Sequence, residues 1–226
     1  MIDCLALPYT RILSISRLAK SRWHAVYWHA NKVFQHIRGR DRCSWSGEQW
    51  GLRAAAFYDL EGTLVSTNLV HTLGFYARNQ PHILQSVRMS AATLLSLPLF
   101  ALSDQYSRKV FNDLYFKRYK GVSEDRLRFL AQDLFEKVLK PAVFPGTYEL
   151  LEKSRSLGLR QVVVTGALDI SVKPLMEHLG ITEYVANRLE FVNGAATGRL
   201  LPPVMAAATK ASWIRVFAER EKISLG

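Results

Sequence analysis

Cysteine is nearly absent from this sequence. The 226-residue chain has Cys4 and Cys43 and no other cysteine, and both fall within the first 53 residues. Two cysteines cannot build a disulfide framework or an all-thiolate zinc site, and the six histidines show no metal-ligand spacing. The sequence therefore predicts an intracellular protein in a reducing compartment.

Acidic residues are also scarce, most of all near the N-terminus. The chain carries 30 Lys and Arg against 19 Asp and Glu, and residues 1–53 hold 9 of the basic residues and 3 of the acidic ones. More than half of the net charge of +11 thus lies in less than a quarter of the chain. The remaining residues have a modest excess and no recognisable binding motif, so we expect no nucleic-acid partner.

An uninterrupted apolar run of membrane-spanning length is missing as well. Residues 89–103 carry no charge, but they number 15, whereas a spanning helix needs roughly 20. Arg88 and Asp104 bracket the run and Pro98 interrupts it. We expect a buried or interfacial helix here, and the N-terminus shows no signal-peptide pattern.

The basic N-terminal segment, residues 1–53, has four of the five tryptophans and a helical pattern over residues 10–38. Its apolar residues recur near the helical period, with Arg and Lys mostly between them. Such a basic amphipathic helix can contact a membrane surface or direct a protein to a chloroplast or mitochondrion. Alternatively, it packs on the domain that follows, in a cytoplasmic protein.

Two short apolar runs predict buried strands of a parallel sheet, at residues 54–58 and 161–164. Helical spacing between them, over residues 69–140, predicts three or four helices with breaks at Pro81, Pro98 and Gly121. Further helices are expected at 145–157 and 171–179. Asn193-Gly194 predicts the turn of a β-hairpin between residues 188–192 and 196–200.

The first predicted strand ends in the sequence Asp59-Leu60-Glu61-Gly62-Thr63. Ligands bind beyond the carboxyl ends of parallel strands, so Asp59 falls where a site is expected. An aspartate there can attack phosphorus, and Glu61, two residues on, can protonate the leaving oxygen and activate water. Gly62 and Thr63 provide a loop whose backbone can closely approach a phosphate.

Residues 57–64, Phe-Tyr-Asp-Leu-Glu-Gly-Thr-Leu, resemble the first motif of the haloacid dehalogenase-like hydrolases. The order of motifs in residues 54–226 is similar to the phosphoserine-phosphatase-like branch of that family. The resemblance implies an α/β fold with an open, parallel, Rossmann-like sheet, a core of residues 54–68 and 141–226, and a helical cap of residues 69–140 inserted after the first strand. The N-terminal segment would be a basic helical extension.

The resemblance also implies roles for individual residues. Asp59 would be the nucleophile and a magnesium ligand, and Glu61 the acid/base and a magnesium ligand through its main-chain carbonyl. Thr165 and Gly166 would bind phosphate together with Gly62 and Thr63. Lys210 would neutralise charge on the aspartate and the phosphoryl group. Mg²⁺ is the implied cofactor.

The sequence departs from the family pattern in two places. Glu61 stands where the phosphatases usually have aspartate, and no pair of acids forms a fourth motif after Lys210. We therefore expect a truncated chain with weak or no activity and an unpaired apolar edge on its first strand.

Two functions remain open at this point. One is a magnesium-dependent phosphomonoester hydrolase that acts on a small phosphorylated metabolite or a lipid phosphate. The other is a non-catalytic protein that binds a membrane surface or a partner. A hydrolytic dehalogenase is disfavoured because Glu61 retains an acid suited to phosphate chemistry. Lys117, Arg118 and Lys120 could attract an anionic substrate or form a solvated helix face, and Asp169 could begin a helix.

Overall fold

The computed structural model describes residues 54–106 and 108–223. Their centre is a four-stranded sheet in the order β1-β2-β3-β4. Strands β1, β2 and β3 are parallel, and β4 pairs antiparallel with β3. The strands span Ala55–Tyr58, Arg160–Leu168, Glu183–Val192 and Ala195–Leu201. The open α/β sheet that the sequence predicted is confirmed.

Seven α-helices accompany this sheet within the described residues. They are α1 Leu69–Arg78, α2 Ile83–Tyr106, α3 Arg108–Phe116, α4 Glu124–Leu134, α5 Pro145–Ser156, α6 Asp169–Leu179 and α7 Ala207–Arg220. Helices α1 to α4 all lie between β1 and β2 in the chain, followed by a π-turn and a 3₁₀-turn over residues 135–142. A helical insertion therefore follows the first strand.

The sheet is buried because helices cover both of its faces. On one face, α7 packs Phe217 edge-to-face on Phe57 of β1, beside Val162 and Val164 of β2. The alternate β2 residue, Val163, points into the larger core formed with α6 and the inserted helices. Among the described strands, β1 has a neighbour on one side alone, so it lies at the sheet edge.

Local signals explain several helix ends in the insertion. The side chain of Asn68 accepts hydrogen bonds from the amides of Val70 and His71 and caps α1. The hydroxyl of Ser123 accepts a hydrogen bond from the backbone amide of Arg126 and caps α4. Gly121, in the left-handed region with φ +82°, separates the 3₁₀-turn that follows α3 from α4, as the sequence predicted.

Pro98 does not break a helix, so that expectation is wrong. It lies inside α2, which continues for eight residues beyond it. Proline removes one helical hydrogen bond, but Pro98 is exposed while Ser96 and Phe100 beside it are buried. The packing of the flanking residues therefore maintains the helix.

The hairpin prediction is confirmed. Asn193 and Gly194 connect β3 to β4, and both have positive φ, as a primed turn requires. The predicted helix at 171–179 begins earlier, at Asp169, since β2 extends to Leu168. The N-terminal segment and its predicted membrane-contact helix at residues 10–38 lie outside the described residues.

Candidate active site

Asp59 follows β1 directly, at the carboxyl edge of the sheet. Its Oδ1 accepts a hydrogen bond of 2.8 Å from the backbone amide of Leu60 and forms an ion pair of 2.7 Å with Nζ of Lys210. The side chains of Asp59 and Lys210 are 25% and 21% exposed, so the pair is open to a ligand from solution. Both donors converge on one oxygen and fix the orientation of the carboxylate.

The loop after Asp59 is held by its own backbone. The carbonyl oxygen of Leu60 accepts from the amides of Thr63, Leu64 and Val65 at 3.2, 2.9 and 3.1 Å. The amide of Gly62 donates to Val65 at 2.7 Å. The amides of Gly62 and Thr63 are thus used within the loop, and the phosphate contact expected of these two residues stays a prediction.

Gly62 and Thr147 explain why this loop adopts such a tight conformation. Gly62 has φ +74°, and a Cβ there would meet no atom within 4 Å, so backbone conformation rather than space favours glycine. The buried Thr147 donates from Oγ1 to the carbonyl of Leu64 at 2.8 Å. Helix α5, which begins just before Thr147, therefore anchors the far end of the loop.

Thr165 and Gly166 lie within the neighbouring strand β2. Thr165 is completely buried, and its Oγ1 accepts a hydrogen bond of 3.0 Å from the amide of Ala167. The hydroxyl proton can still donate to an anion, because accepting a hydrogen bond uses a lone pair of the oxygen. Tyr58, which precedes Asp59, pairs with Val163 of the parallel strand β2, so Thr165 lies two residues beyond the last position that pairs with β1.

Lys210 lies in the first turn of α7, and its amide donates to the carbonyl of Ala206 at 2.8 Å. The apolar face of α7 fixes this helix on the sheet through Phe217 and Trp213, whose rings stack at 5.0 Å. The structure therefore brings together Asp59 and Lys210, which the sequence predicted to act at one site.

Asn187 connects two segments of the site, although no sequence motif pointed to it. Its fully buried side chain accepts from the amide of Met205 at 2.7 Å and donates to the carbonyl of Gly166 at 2.8 Å. It thereby joins the end of β2 to the segment that leads into α7. A lone amide side chain in the otherwise largely apolar run of residues 184–189 is the sequence signal that could have revealed it.

The charge of Glu61 acts on two tyrosines of the insertion. Burial is the main reason why the pKa values of Tyr115 and Tyr119 are raised, and the charge of Glu61 raises both further. The hydroxyl of Tyr115 donates to the carbonyl of Leu69 at 2.6 Å and lies 3.2 Å from that of Tyr119. Both tyrosines therefore stay protonated, and the charge of Glu61 acts on both of them.

The basic cluster at residues 117–120 lies on a 3₁₀-turn of the insertion. Its aromatic neighbours Tyr115, Phe116 and Tyr119 are buried, whereas Lys117 and Lys120 are exposed. The backbone of Lys117 contacts Gly198 of β4 so closely that a Cβ on Gly198 would lie 3.1 Å from it. This arrangement is typical of a solvated face above a packed aromatic core.

Metal donors are few in the described part of the chain. No group of three or more His, Cys, Asp and Glu there could hold an ion. The possible magnesium ligands are the side-chain carboxylate of Asp59 and the main-chain carbonyl of Glu61. Mg²⁺ commonly binds one or two protein carboxylates together with phosphate oxygens and water, so these donors fit magnesium as part of a ternary site with substrate.

Residues 56–226 match the haloacid dehalogenase-like hydrolase family, and the chain belongs to that family. A phosphoserine phosphatase of Mycobacterium tuberculosis is 27% identical over 182 residues, covering 77% of this chain and 57% of that protein. One from Archaeoglobus fulgidus is 29% identical over 110 residues, covering 47% of this chain and 32% of that protein. The chain spans about half the length of the first of these curated relatives.

Solved structures show the same fold. A Bordetella pertussis protein of unknown function superposes with a TM-score of 0.64 at 16% identity, covering 77% of this chain and 78% of that one. A phosphoserine phosphatase with an analogue of its phospho-aspartyl intermediate gives a TM-score of 0.53 at 18% identity, covering 74% and 72%. The chain is thus related in sequence and fold to phosphoserine phosphatases.

Proposed function

We propose that this protein hydrolyses phosphomonoesters through an aspartyl-phosphate formed on Asp59. The observation that carries the proposal is the ion pair between Asp59 and Lys210 at the carboxyl edge of β1. A cation held beside a nucleophilic carboxylate lowers the repulsion that an incoming phosphate dianion would otherwise meet. The phosphoserine phosphatase relatives, one of them solved with a phospho-aspartyl analogue, support this chemistry.

The first step transfers the phosphoryl group to the protein. A carboxylate oxygen of Asp59 attacks phosphorus, the bond between phosphorus and the leaving oxygen breaks, and Glu61 donates a proton to that oxygen. Lys210 contacts Oδ1, so Oδ2 is the oxygen better placed to attack. Glu61, whose charge acts on tyrosines of the insertion, would meet the leaving group on that side of Asp59.

The second step returns the protein to its starting state. Glu61 accepts a proton from water, the water oxygen attacks phosphorus, and the bond between phosphorus and Asp59 breaks to release inorganic phosphate. The hydroxyl of Thr165 and the amide of Gly166 would hold phosphate oxygens during both steps. Asn187 would keep Gly166 in place through its 2.8 Å hydrogen bond to the carbonyl of that residue.

Magnesium would be held by the carboxylate of Asp59, the main-chain carbonyl of Glu61 and oxygens of the bound phosphate. When bound, it supplies positive charge that screens the nucleophile from the phosphate. Because the described residues offer a single side-chain carboxylate at this position, we expect weak magnesium binding and slow turnover by the 226-residue chain. The substrate class that fits is a small phosphorylated metabolite, with a lipid phosphate as the alternative.

The test is hydrolysis of p-nitrophenyl phosphate, phosphoserine and a short-chain phosphatidate by the purified 226-residue chain with and without Mg²⁺. We expect slow, magnesium-dependent release of phosphate that Asp59→Asn abolishes, while the circular dichroism spectrum is unchanged. Activity that persists in the Asp59→Asn variant would contradict the proposal. A folded wild-type chain that releases no phosphate from any substrate would favour a non-catalytic role.

A further inference from the structure

Helix α2 exposes a row of large apolar side chains. Six of them lie on one side of the helix, and we call them the α2 stripe: Ile83, Leu84, Val87, Leu94, Leu95 and Leu102. Leu84 and Leu95 are 80% and 81% exposed. Spacings of 4, 7, 8 and 11 residues within the stripe correspond to nearly whole helical turns, so these side chains form a continuous band.

The opposite, buried side of α2 carries hydroxyl side chains as well as the apolar Phe100. There Thr93, Ser96 and Ser103 are buried, and Ser96 and Ser103 donate to carbonyls of their own helix. A water-facing helix normally directs its hydroxyls outward and its leucines inward. The buried hydroxyls and exposed leucines together indicate that the leucines meet an apolar environment outside the described residues.

The packing of α2 shows how it could enter such an environment. By length and average composition, residues 83–100 pass as a membrane-spanning helix, although the charged Arg88 lies among them. However, Phe100 packs edge-on against Phe111 and Tyr115, with ring centroids 5.9 and 5.8 Å apart, which attaches one side of α2 to the insertion. A helix held along its length can lie in a membrane surface with its free side in the lipid.

The charged residues near the α2 stripe are basic and favour an anionic partner. Two exposed cations lie near the stripe: Arg88 on α2, beside Leu84 and Leu95, and Arg78 at the end of α1. Residues 62–103 contain no Asp or Glu. A second copy of the same face would oppose these cations with further cations. Anionic lipid headgroups would pair with them while the leucines enter the acyl boundary.

We infer that the α2 stripe is a membrane-contact surface that binds anionic bilayers peripherally. This role does not depend on the chemistry of Asp59, because it concerns an exposed face of the inserted helices. It differs from the membrane contact predicted for residues 10–38, which the test must separate from it.

The first experiment is flotation of the full chain with vesicles of phosphatidylcholine alone or with about 30% phosphatidylglycerol. We expect binding to the anionic vesicles, reduced at least about tenfold by the double substitution Leu84→Glu and Leu95→Glu. Val216→Glu is the matched control, because Val216 is an exposed apolar residue of α7 and is 64% exposed. Unchanged binding by the double variant, or no binding by the wild type, overturns the proposal.

The second experiment avoids any dependence on how the charged variant folds. An environment-sensitive nitrobenzoxadiazole dye is attached to a single cysteine, made by Leu95→Cys or Val216→Cys after Cys4 and Cys43 are replaced by serine. We expect a blue shift on anionic vesicles at position 95 and none at position 216. A shift at position 95 that appears on self-association without vesicles, as seen by light scattering, would assign the stripe to a second copy instead.

Discussion

The ammonium group of Lys210 lies 2.7 Å from Oδ1 of Asp59, although 151 residues separate the two along the chain. One residue follows the edge strand β1, and the other belongs to the first turn of α7. Their contact requires that α7 covers β1 and that the segment before α7 meets the end of β2. The geometry of the site is therefore a consequence of tertiary packing.

Lys210→Met is expected to reduce kcat by about 10²- to 10³-fold, because it removes the cation from the charge that develops on the phosphoryl group. The free energy of unfolding should change by less than about 1 kcal/mol, since the ion pair is partly solvated. Hydrolysis of p-nitrophenyl phosphate and urea denaturation measure the two effects.

The matched control for this variant is Lys173→Met, which removes an exposed lysine of α6. It should leave kcat unchanged. If Lys173→Met lowers kcat as much as Lys210→Met does, the assignment of the cation to Lys210 is wrong.

Asn187→Leu should destabilise the protein by about 2 to 4 kcal/mol. The substitution leaves the buried amide of Met205 and the carbonyl of Gly166 without the hydrogen bonds that Asn187 makes to them. We also expect kcat to fall more than KM rises, as Gly166 and the segment before Lys210 lose their common anchor. Urea denaturation and steady-state kinetics on the same preparations test both effects. A purely structural role would lower the amount of folded protein and leave kcat per folded molecule unchanged.

Local patterns in the sequence were sufficient to place much of this fold. The apolar runs at β1 and β2 were visible, and so was the turn at Asn193-Gly194, because each depends on residues close together in the chain. Asp59 and Lys210 were named through the order of motifs, and the structure brings them into contact. The strands and the turn need no knowledge of distant packing, whereas the contact between Asp59 and Lys210 depends on it.

Other features depend on contacts that a local pattern does not contain. Asn187 joins Gly166 to Met205, which are 21 and 18 residues away from it. Helix α2 continues through Pro98 because buried neighbours on either side outweigh the lost hydrogen bond. The burial of serines and the exposure of leucines on α2 could be recognised only after the packing of this helix was known.

Glu61 provides a test of acid/base chemistry at the site. Glu61→Gln should lower kcat by about 10²- to 10⁴-fold and remove the limb of the pH–rate profile that reports the acid. Glu61→Asp should retain most of the activity, because aspartate keeps the proton and both variants keep the main-chain carbonyl. Equal losses in the two variants would show that side-chain shape, rather than the proton, matters at this position.

A second charge cluster far from Asp59 predicts how stability depends on pH. Arg160 forms ion pairs of 2.6 Å with Glu183 and 2.9 Å with Glu221, and its hydrogen bond is the main reason why the pKa of Glu221 is lowered from 4.5. A carboxyl whose folded-state pKa is depressed contributes stability above its unfolded pKa and loses it as the pH falls through the folded value. Stability should therefore decrease below pH 4.5, and Arg160→Gln should flatten this dependence. Urea denaturation between neutral pH and the acid range measures this dependence.

Arg199→Gln is the matched control. The pKa of Glu190 is lowered chiefly by its hydrogen bond to the hydroxyl of Thr197, which this variant retains. The stability of the Arg199→Gln variant should therefore depend on pH much as that of the wild type does. An Arg160→Gln variant with the wild-type slope would mean that the ion pairs persist in the unfolded chain or do not form in solution.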